Sequence, residues 1–169
     1  TLEFDFLRGQ EVLICAAPGV GKSVIALNLA AGIKRPALYF SADSDHYTQG
    51  HRLTSLLTGR STSVTKLEVR QGRVDPALAK LPIEFVFDPQ PTPDVIEDNT
   101  NAFVQKHGEP PHLLVVDNIT DVDNDGETDL NPLLGYLNGI ARYTGACVLG
   151  LHHVTGPFND GDKPPPLSA

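Results

Sequence analysis

Residues 11–23 read EVLICAAPGVGKS, and this stretch decides the fold. Its apolar first part predicts a buried strand, and the residues from Lys22 onward predict a helix. Between them AAPGVGKS fits the Walker A pattern G-x-x-x-x-G-K-[S/T], with Ala16 in place of the first glycine. A glycine-rich turn from strand to helix aims several backbone N–H groups into one concavity, at the positive end of the helix dipole. The stretch therefore predicts a cradle for phosphate.

The residues of this loop have separate expected roles. Gly19 and Gly21 let the backbone approach the anion without a Cβ atom in the way. Lys22 supplies positive charge to the β and γ phosphates, and the Ser23 hydroxyl is expected to ligate Mg²⁺. The predicted cofactors are thus ATP and Mg²⁺. The predicted nucleotide-binding residues are Ala17, Pro18, Gly19, Val20, Gly21, Lys22, Ser23 and Val24.

The rest of the chain alternates short apolar runs with longer amphipathic stretches. Strands are predicted at 11–16, 37–42, 83–87, 112–117 and 146–151. Helices are predicted at 22–33, 47–57, 93–107 and 130–143, with one or two short helices within 61–81. This rhythm is typical of an α/β fold, with a central parallel sheet and helices on both faces. We expect one domain over 1–169, ending in a mobile loop at 156–169 that is rich in Gly and Pro.

Composition narrows the class of protein. The chain has 169 residues, of which 40% are apolar and 20% charged, and no apolar run approaches the roughly 20 residues of a membrane span. Cys15 and Cys147 both lie in apolar runs and are expected to be buried core residues in a reducing cytoplasm. The net charge of -8 opposes non-specific attraction to nucleic acid. The chain contains no Met, so we expect it to be a fragment.

A second candidate motif lies at 112–118, which reads HLLVVDN. Four apolar residues lead to Asp117 at the tip of a predicted strand, as in a Walker B motif, where the carboxylate holds Mg²⁺ through water. An acid that merely ends a strand is the alternative. We favour the metal role because Asp117 occurs together with the phosphate cradle.

Two further strand ends suggest a family. The runs ALYFSADSDHYTQGHRL at 37–53 and ACVLGLHHVTG at 146–156, with the two motifs above, resemble the ATPase core of DnaB-like replicative helicases and the related RepA-type helicases. The resemblance implies a RecA-like P-loop NTPase. By position it implies that Asp43, where the family has Glu, is the base that orients the attacking water. It likewise implies that His153 senses the γ-phosphate, so that the catalytic residues are Lys22, Asp43, Asp117 and His153.

The resemblance also implies partners and an activity. ATP hydrolysis would drive movement on single-stranded DNA in replication, within a ring or filament of like subunits, a hexamer being expected, in the cytoplasm of a bacterial or phage-infected cell. Hydrolysis in the family needs a basic finger from the next subunit, whose residues lie in the family beyond the segment that this sequence matches, so we expect the isolated chain to hydrolyse ATP slowly. A recombination or regulatory ATPase without unwinding and a non-catalytic nucleotide-binding module are the alternative functions.

Some assignments stay open on the sequence alone. Asp45 is an alternative base, and Asp43 could instead be the N-cap of a helix. Of His152 and His153, at most one can face the nucleotide, because side chains alternate along a strand. The arginines Arg52, Arg60 and Arg142 are expected to be ordinary surface residues.

An acidic segment follows the second motif. Asp121, Asp123, Asp125 and Gly126 match the start of a calcium-binding loop, but Pro132 stands where a bidentate Glu is needed. A solvated loop is therefore favoured over a calcium site. Such a loop would repel DNA, and Lys163 is the sole base of the later loop, so binding of single-stranded DNA by the isolated chain should be weak.

Overall fold

The computed structural model describes residues 6–122 and 130–154. The sheet consists of β1 (Glu11–Ala16), β2 (Ala37–Ser41), β3 (Ile83–Val86), β4 (Leu113–Asp117) and β5 (Cys147–His153). The α-helices are α1 (Lys22–Gly32), α2 (His46–Thr58), α3 (Thr62–Arg70), α4 (Pro93–His107) and α5 (Asn131–Thr144), and 3₁₀ turns lie at Leu78–Lys80 and Ile119–Asp121. The predicted elements are confirmed to within a few residues.

The five strands form one parallel sheet in the order β1-β5-β4-β2-β3. Alternate residues of each inner strand point to opposite faces. On one face Leu38 and Leu114 join the core that contains α4 and α5, and on the other Tyr39 and Val115 join the core that contains α1 and α2. Strands β2 and β4 are buried on both faces, which explains why their sequences are almost continuously apolar rather than alternating. The predicted α/β architecture, with helices on both faces, is confirmed.

Strand β1 is less buried than its sequence predicted. It lies at the edge of the described sheet and pairs there with β5. Leu13 and Cys15 point to the same face of β1 and both are exposed, so the described elements cover this face of the strand incompletely. The expectation of two core cysteines is thus wrong for Cys15 and right for Cys147, which is buried in β5.

The strand register brings the functional ends of the strands to one edge of the sheet. Ala16 at the end of β1 is level with His153, and Asp117 at the end of β4 is level with both Ser41 and Leu151. The loops that leave β1, β2, β4 and β5 therefore start side by side. This is the edge at which parallel α/β sheets bind ligands.

Two regions of interest in the sequence lie outside the described residues. They are positions Asp123, Asp125 and Gly126 of the partial calcium-loop match, and the predicted mobile loop at 156–169, which contains Lys163. Within the described ranges, no helix combines the length and the apolar character that a membrane span requires.

Candidate nucleotide-binding site

The loop between β1 and α1 has a backbone that requires glycine. Gly19 and Gly21 have φ angles of 80° and 99°, a region that favours glycine, and Gly21 is the N-cap of α1. A Cβ atom on either residue would meet no atom within 4 Å, so the space beside the loop is open. Glycine is thus required at these two positions by the positive φ angles and not by close contacts with neighbouring atoms. This path leaves the start of α1 without a side-chain cap, available to an anion.

Lys22 is held in place by the loop itself. Its side chain lies back along the loop, and the residue is only 5% exposed. The Nζ atom donates to the carbonyl oxygens of Ala16 at 2.8 Å and Ala17 at 3.0 Å. Burial lowers the pKa of Lys22, and the negative charges of Asp117 and Asp43 oppose this shift. A positive charge is therefore fixed beside the helix N-terminus.

Asp117 is buried at the end of β4, with 2% of the residue exposed. Its Oδ2 atom accepts a hydrogen bond of 2.7 Å from the hydroxyl of Tyr39 on the adjacent strand β2. Burial, together with Asp117, raises the pKa of Tyr39 well above its usual value, so that Tyr39 remains a donor. The bond fixes the orientation of the carboxylate and leaves Oδ1 for another ligand.

His153 connects the phosphate loop to Asp43. Its Nδ1 atom is 3.0 Å from the Nζ of Lys22, and its Nε2 atom is 3.0 Å from Oδ2 of Asp43. A lysine ammonium group only donates hydrogen bonds, so Nδ1 must accept and Nε2 must carry the proton that is donated to Asp43. The contacts thus select one neutral tautomer of His153.

The neighbouring histidine faces away from these groups. Burial lowers the pKa of His152, and its Nδ1 atom is buried without a hydrogen-bond partner in the described part of the chain. Only His153 contacts the predicted site residues, as the alternation of side chains along β5 required.

The two aspartates after β2 have different positions. Oδ1 of Asp45 accepts a hydrogen bond of 2.8 Å from the backbone N–H of Thr48, and Asp45 is the N-cap of α2. These bonds to Thr48 lower the pKa of Asp45. The alternative assignment of Asp43 as the N-cap is therefore wrong. The side chain of Asp43 is 45% exposed and contacts His153.

Asn118 is a site residue that the sequence analysis missed. It is 1% exposed, and its Nδ2 atom donates to Oδ2 of Asp121 at 2.9 Å and to Oδ2 of Asp43 at 3.3 Å. Its Oδ1 atom accepts from the backbone N–H of Thr120 at 2.8 Å, which fixes the amide. Burial and the charge of Asp43 raise the pKa of Asp121. The position of Asn118 directly after Asp117 was the signal available in the sequence.

The remaining predicted residues lie along the same loop. Ser23 is the second residue of α1 and is half-buried, and Val24 follows it with 41% of its surface exposed. Ala17 is half-buried, whereas Pro18 and Val20 are exposed. The loop therefore presents its backbone at an accessible surface.

Comparison with known protein families gives a match over almost the whole chain. The model of the AAA domain family matches residues 3–156. The chain belongs to the AAA domain family. The matched range includes the phosphate loop and the ends of β2, β4 and β5, so all the contacts described above lie within this AAA domain.

Two phage proteins are similar in sequence to this AAA domain. The Gene 65 protein of Mycobacterium phage L5 is 46% identical over 171 residues, which cover 95% of this chain and 64% of that protein. The Gene 65 protein of Mycobacterium phage D29 is 45% identical over 166 residues, covering 92% of this chain and 72% of that protein. The chain thus spans about two thirds of the length of these relatives.

Two solved structures share the fold of this AAA domain. A DnaB-like replicative helicase, solved in a study of its interactions with primase, matches with a TM-score of 0.75 and 17% identity over 89% of this chain and 40% of that one. A second solved structure, of an ATPase domain, matches with a TM-score of 0.66 and 16% identity over 88% of this chain and 58% of that one. The predicted RecA-like fold, a central parallel sheet with helices on both faces, is confirmed.

Proposed function

We propose that this AAA domain binds and hydrolyses Mg-ATP as the ATPase core of a DnaB-like helicase that acts in phage DNA replication. The observation that carries the proposal is the continuous set of contacts from Lys22 through His153 to Asp43. It joins the group that would bind the γ-phosphate to the group that would activate water. A site for phosphate binding alone has no need of such a link.

The phosphate end of the site is formed by the loop and Lys22. The backbone N–H groups at the start of α1 would bind phosphate oxygens, as they do in P-loop proteins. Lys22 would exchange its bonds to the carbonyls of Ala16 and Ala17 for bonds to the β and γ phosphates. Its burial excludes competing water, which strengthens its attraction to the anion.

The residues present also fit a magnesium ion. Ser23 and Asp117 would hold it, because hydroxyl and carboxylate oxygens are hard ligands and Oδ1 of Asp117 is free of the bond that Tyr39 makes to Oδ2. When bound, the ion would neutralise charge on the phosphate oxygens. Asp117 needs no rearrangement to serve, since Tyr39 already sets its orientation.

Asp43 is the proposed general base. Its exposed carboxylate can reach a water molecule, whereas the carboxylate of Asp45 is committed to the N-cap of α2. His153 and Asn118 both donate to Oδ2 of Asp43, which leaves Oδ1 to accept a proton from water. When Lys22 turns to the γ-phosphate, its bond to Nδ1 of His153 must change. His153 is thereby placed to transmit nucleotide binding to Asp43.

The helicase part of the proposal rests on the shared fold and on the phage relatives. A ring of like subunits, six being expected, would surround single-stranded DNA, and a neighbouring subunit would contribute the basic finger that completes hydrolysis. The cell compartment proposed is the cytoplasm of a phage-infected bacterium.

Steady-state ATP hydrolysis by the isolated chain, compared with the Lys22→Ala variant, tests the proposal. We expect slow, Mg²⁺-dependent turnover that Lys22→Ala abolishes. Turnover that survives in the variant at the same rate would show that the loop is not the catalytic site. Strand unwinding by the longer parent protein then tests the helicase part, and ATPase activity without unwinding would favour a regulatory or recombination ATPase.

A further inference from the structure

A polar cleft separates α2 from α3, away from the nucleotide site. It encloses about 360 Å³ and is lined by Asp45, Tyr47, Thr48, His51, Lys66, Val69 and Arg70. Apart from Asp45, the alternative base that instead caps α2, none of the residues considered for a phosphate-binding or catalytic role lines this cleft. A function for the cleft is therefore independent of ATP hydrolysis.

Two cations of the cleft have no acidic partner in the part of the chain that the structure describes. Lys66 and Arg70 lie one turn apart on α3, both are exposed, and neither forms an ion pair with any described residue. Arg60 and Lys106, by contrast, are each paired with a carboxylate. The one carboxylate that lines the cleft belongs to Asp45, which is bonded to the N-terminus of α2. In a chain of net charge -8, the cleft is thus a local site of positive charge.

The surroundings of His51 are further evidence of positive charge at the cleft. Its Nδ1 atom is buried and has no hydrogen-bond partner within the described ranges. Burial lowers the pKa of His51, and the positive charges of Arg52, Lys66 and Arg70 lower it further, while the negative charge of Asp45 opposes the shift. Of these three cations, Lys66 and Arg70 line the cleft itself, so the surroundings of His51 agree with a local excess of positive charge there.

Aromatic rings continue from the cleft across the surface. Tyr47, which lines the cleft, is 52% exposed, and its ring centroid is 4.3 Å from that of His46. His46 lies 6.1 Å from Phe87, which is 43% exposed. Phe87 in turn stacks on Phe85 at 5.5 Å with an interplanar angle of 10°. Exposed rings beside unpaired cations are the combination that binds single-stranded nucleic acids, through stacking on bases and attraction of phosphates.

We infer that the cleft between α2 and α3 binds a single-stranded nucleic acid, with backbone phosphates on Lys66 and Arg70 and a base stacked on Tyr47. An acidic peptide would also be attracted by the cations, but it makes no use of the exposed row of rings. The aromatic surface is the reason to favour a nucleic acid. The net negative charge of the chain opposes the contact, so binding is expected at low salt and should be weaker than micromolar at physiological salt.

Fluorescence anisotropy of the whole chain with labelled oligothymidine tests this inference. At about 20 mM salt we expect saturable binding, with an affinity that falls as salt rises. The double variant Lys66→Ala/Arg70→Ala should bind at least about 10-fold more weakly. A plot of the logarithm of its binding constant against the logarithm of salt concentration should be shallower by about 1.4, since each phosphate contact contributes roughly 0.7 to that slope. The matched control, Arg35→Ala/Arg142→Ala, removes two exposed arginines at the opposite edge of the sheet and should lose much less.

An abasic oligonucleotide of equal length separates stacking from charge. Tyr47→Ala should weaken binding of oligothymidine several-fold and leave binding of the abasic strand unchanged, while Tyr47→Phe should bind both normally. The inference is overturned if the chain does not bind oligothymidine at low salt, or if the two double variants lose equal affinity. It is also overturned if Tyr47→Ala has no effect, or if polyglutamate competes as well as the oligonucleotide does. Unchanged thermal melting of each variant establishes that the fold is intact.

Discussion

His153 lies 3.0 Å from Lys22 and bonds through its opposite ring nitrogen to Asp43. Lys22 follows β1, Asp43 follows β2 and His153 ends β5, and the parallel register brings all three to one edge of the sheet. The imidazole is a rigid spacer between a cation and an anion that do not contact each other. A change at the phosphate end therefore alters a hydrogen bond at the base end.

Replacing His153 by Ala should uncouple these two ends. We expect hydrolysis to fall at least about 10-fold, because Asp43 loses a donor that orients it, while the affinity for ATP changes little. Steady-state hydrolysis and equilibrium titration with ATP measure the two effects separately. His152→Ala is the matched control on the same strand, and an equal fall in its rate would contradict a specific role for His153.

The choice of base can be tested with two isosteric changes. Asp43→Asn should lower the rate of hydrolysis by about 100-fold or more, because an amide cannot accept the proton of water. Asp45→Asn should stay within about twofold of the unchanged chain, since Asn is as good an N-cap as Asp. Steady-state rates under identical conditions give the comparison. Similar rates for the two variants would remove the assignment to Asp43.

Tyr39→Phe tests the anchor of the metal-binding carboxylate. Removing the hydroxyl leaves Oδ2 of Asp117 buried without its donor, so the free energy of unfolding should fall by about 1–3 kcal/mol. The magnesium concentration needed for half-maximal hydrolysis should rise. Tyr136→Phe is the control, because that hydroxyl bonds to Glu97 and the carbonyl of Pro93 on α4, remote from the nucleotide. A magnesium requirement shifted equally in both variants would count against a specific role for Tyr39.

Stability should depend on pH near neutrality. Burial lowers the pKa of His51 and His152 below the ordinary value of 6.5 in the folded state. The unfolded chain therefore binds protons at a higher pH than the folded one does, and protonation favours unfolding. The contribution of both residues is complete above their unfolded pKa and is lost as the pH falls through 6.5 toward the folded values. Denaturant titrations at about pH 8 and about pH 6 should show lower stability at the acidic end.

His152→Gln should reduce that dependence, because glutamine does not titrate. A variant whose unfolding free energy changes with pH as steeply as that of the unchanged chain would show that His152 is not a source of the effect.

Much of the fold followed from local sequence patterns. The phosphate loop was identifiable because its glycines, lysine and serine must occur at fixed spacing between a strand and a helix. The contacts between strands were not identifiable, since the bond from Tyr39 to Asp117 depends on the pairing of β2 with β4. The order of strands in a sheet is set by the packing of the whole chain rather than by any local pattern.

The same limit explains two particular outcomes. Cys15 has the apolar neighbours of a buried strand, but its face of β1 is incompletely covered by the described elements, and no local pattern predicts which face other elements cover. The sequence favoured Asp43 as the base and left Asp45 as an alternative, and the helix start at His46 makes Asp45 the cap.

Calorimetric titration of the chain with Mg-ATP, alongside the Lys22→Ala variant, measures whether the loop between β1 and α1 binds the nucleotide. Because a hydrogen bond to a charged group contributes about 1.5–3 kcal/mol, loss of the Lys22 ammonium should weaken binding by about 10- to 100-fold. Lys106→Ala, which removes a surface lysine on α4, should bind as the unchanged chain does. Equal affinity of the unchanged chain and Lys22→Ala, with both proteins folded, would contradict the account.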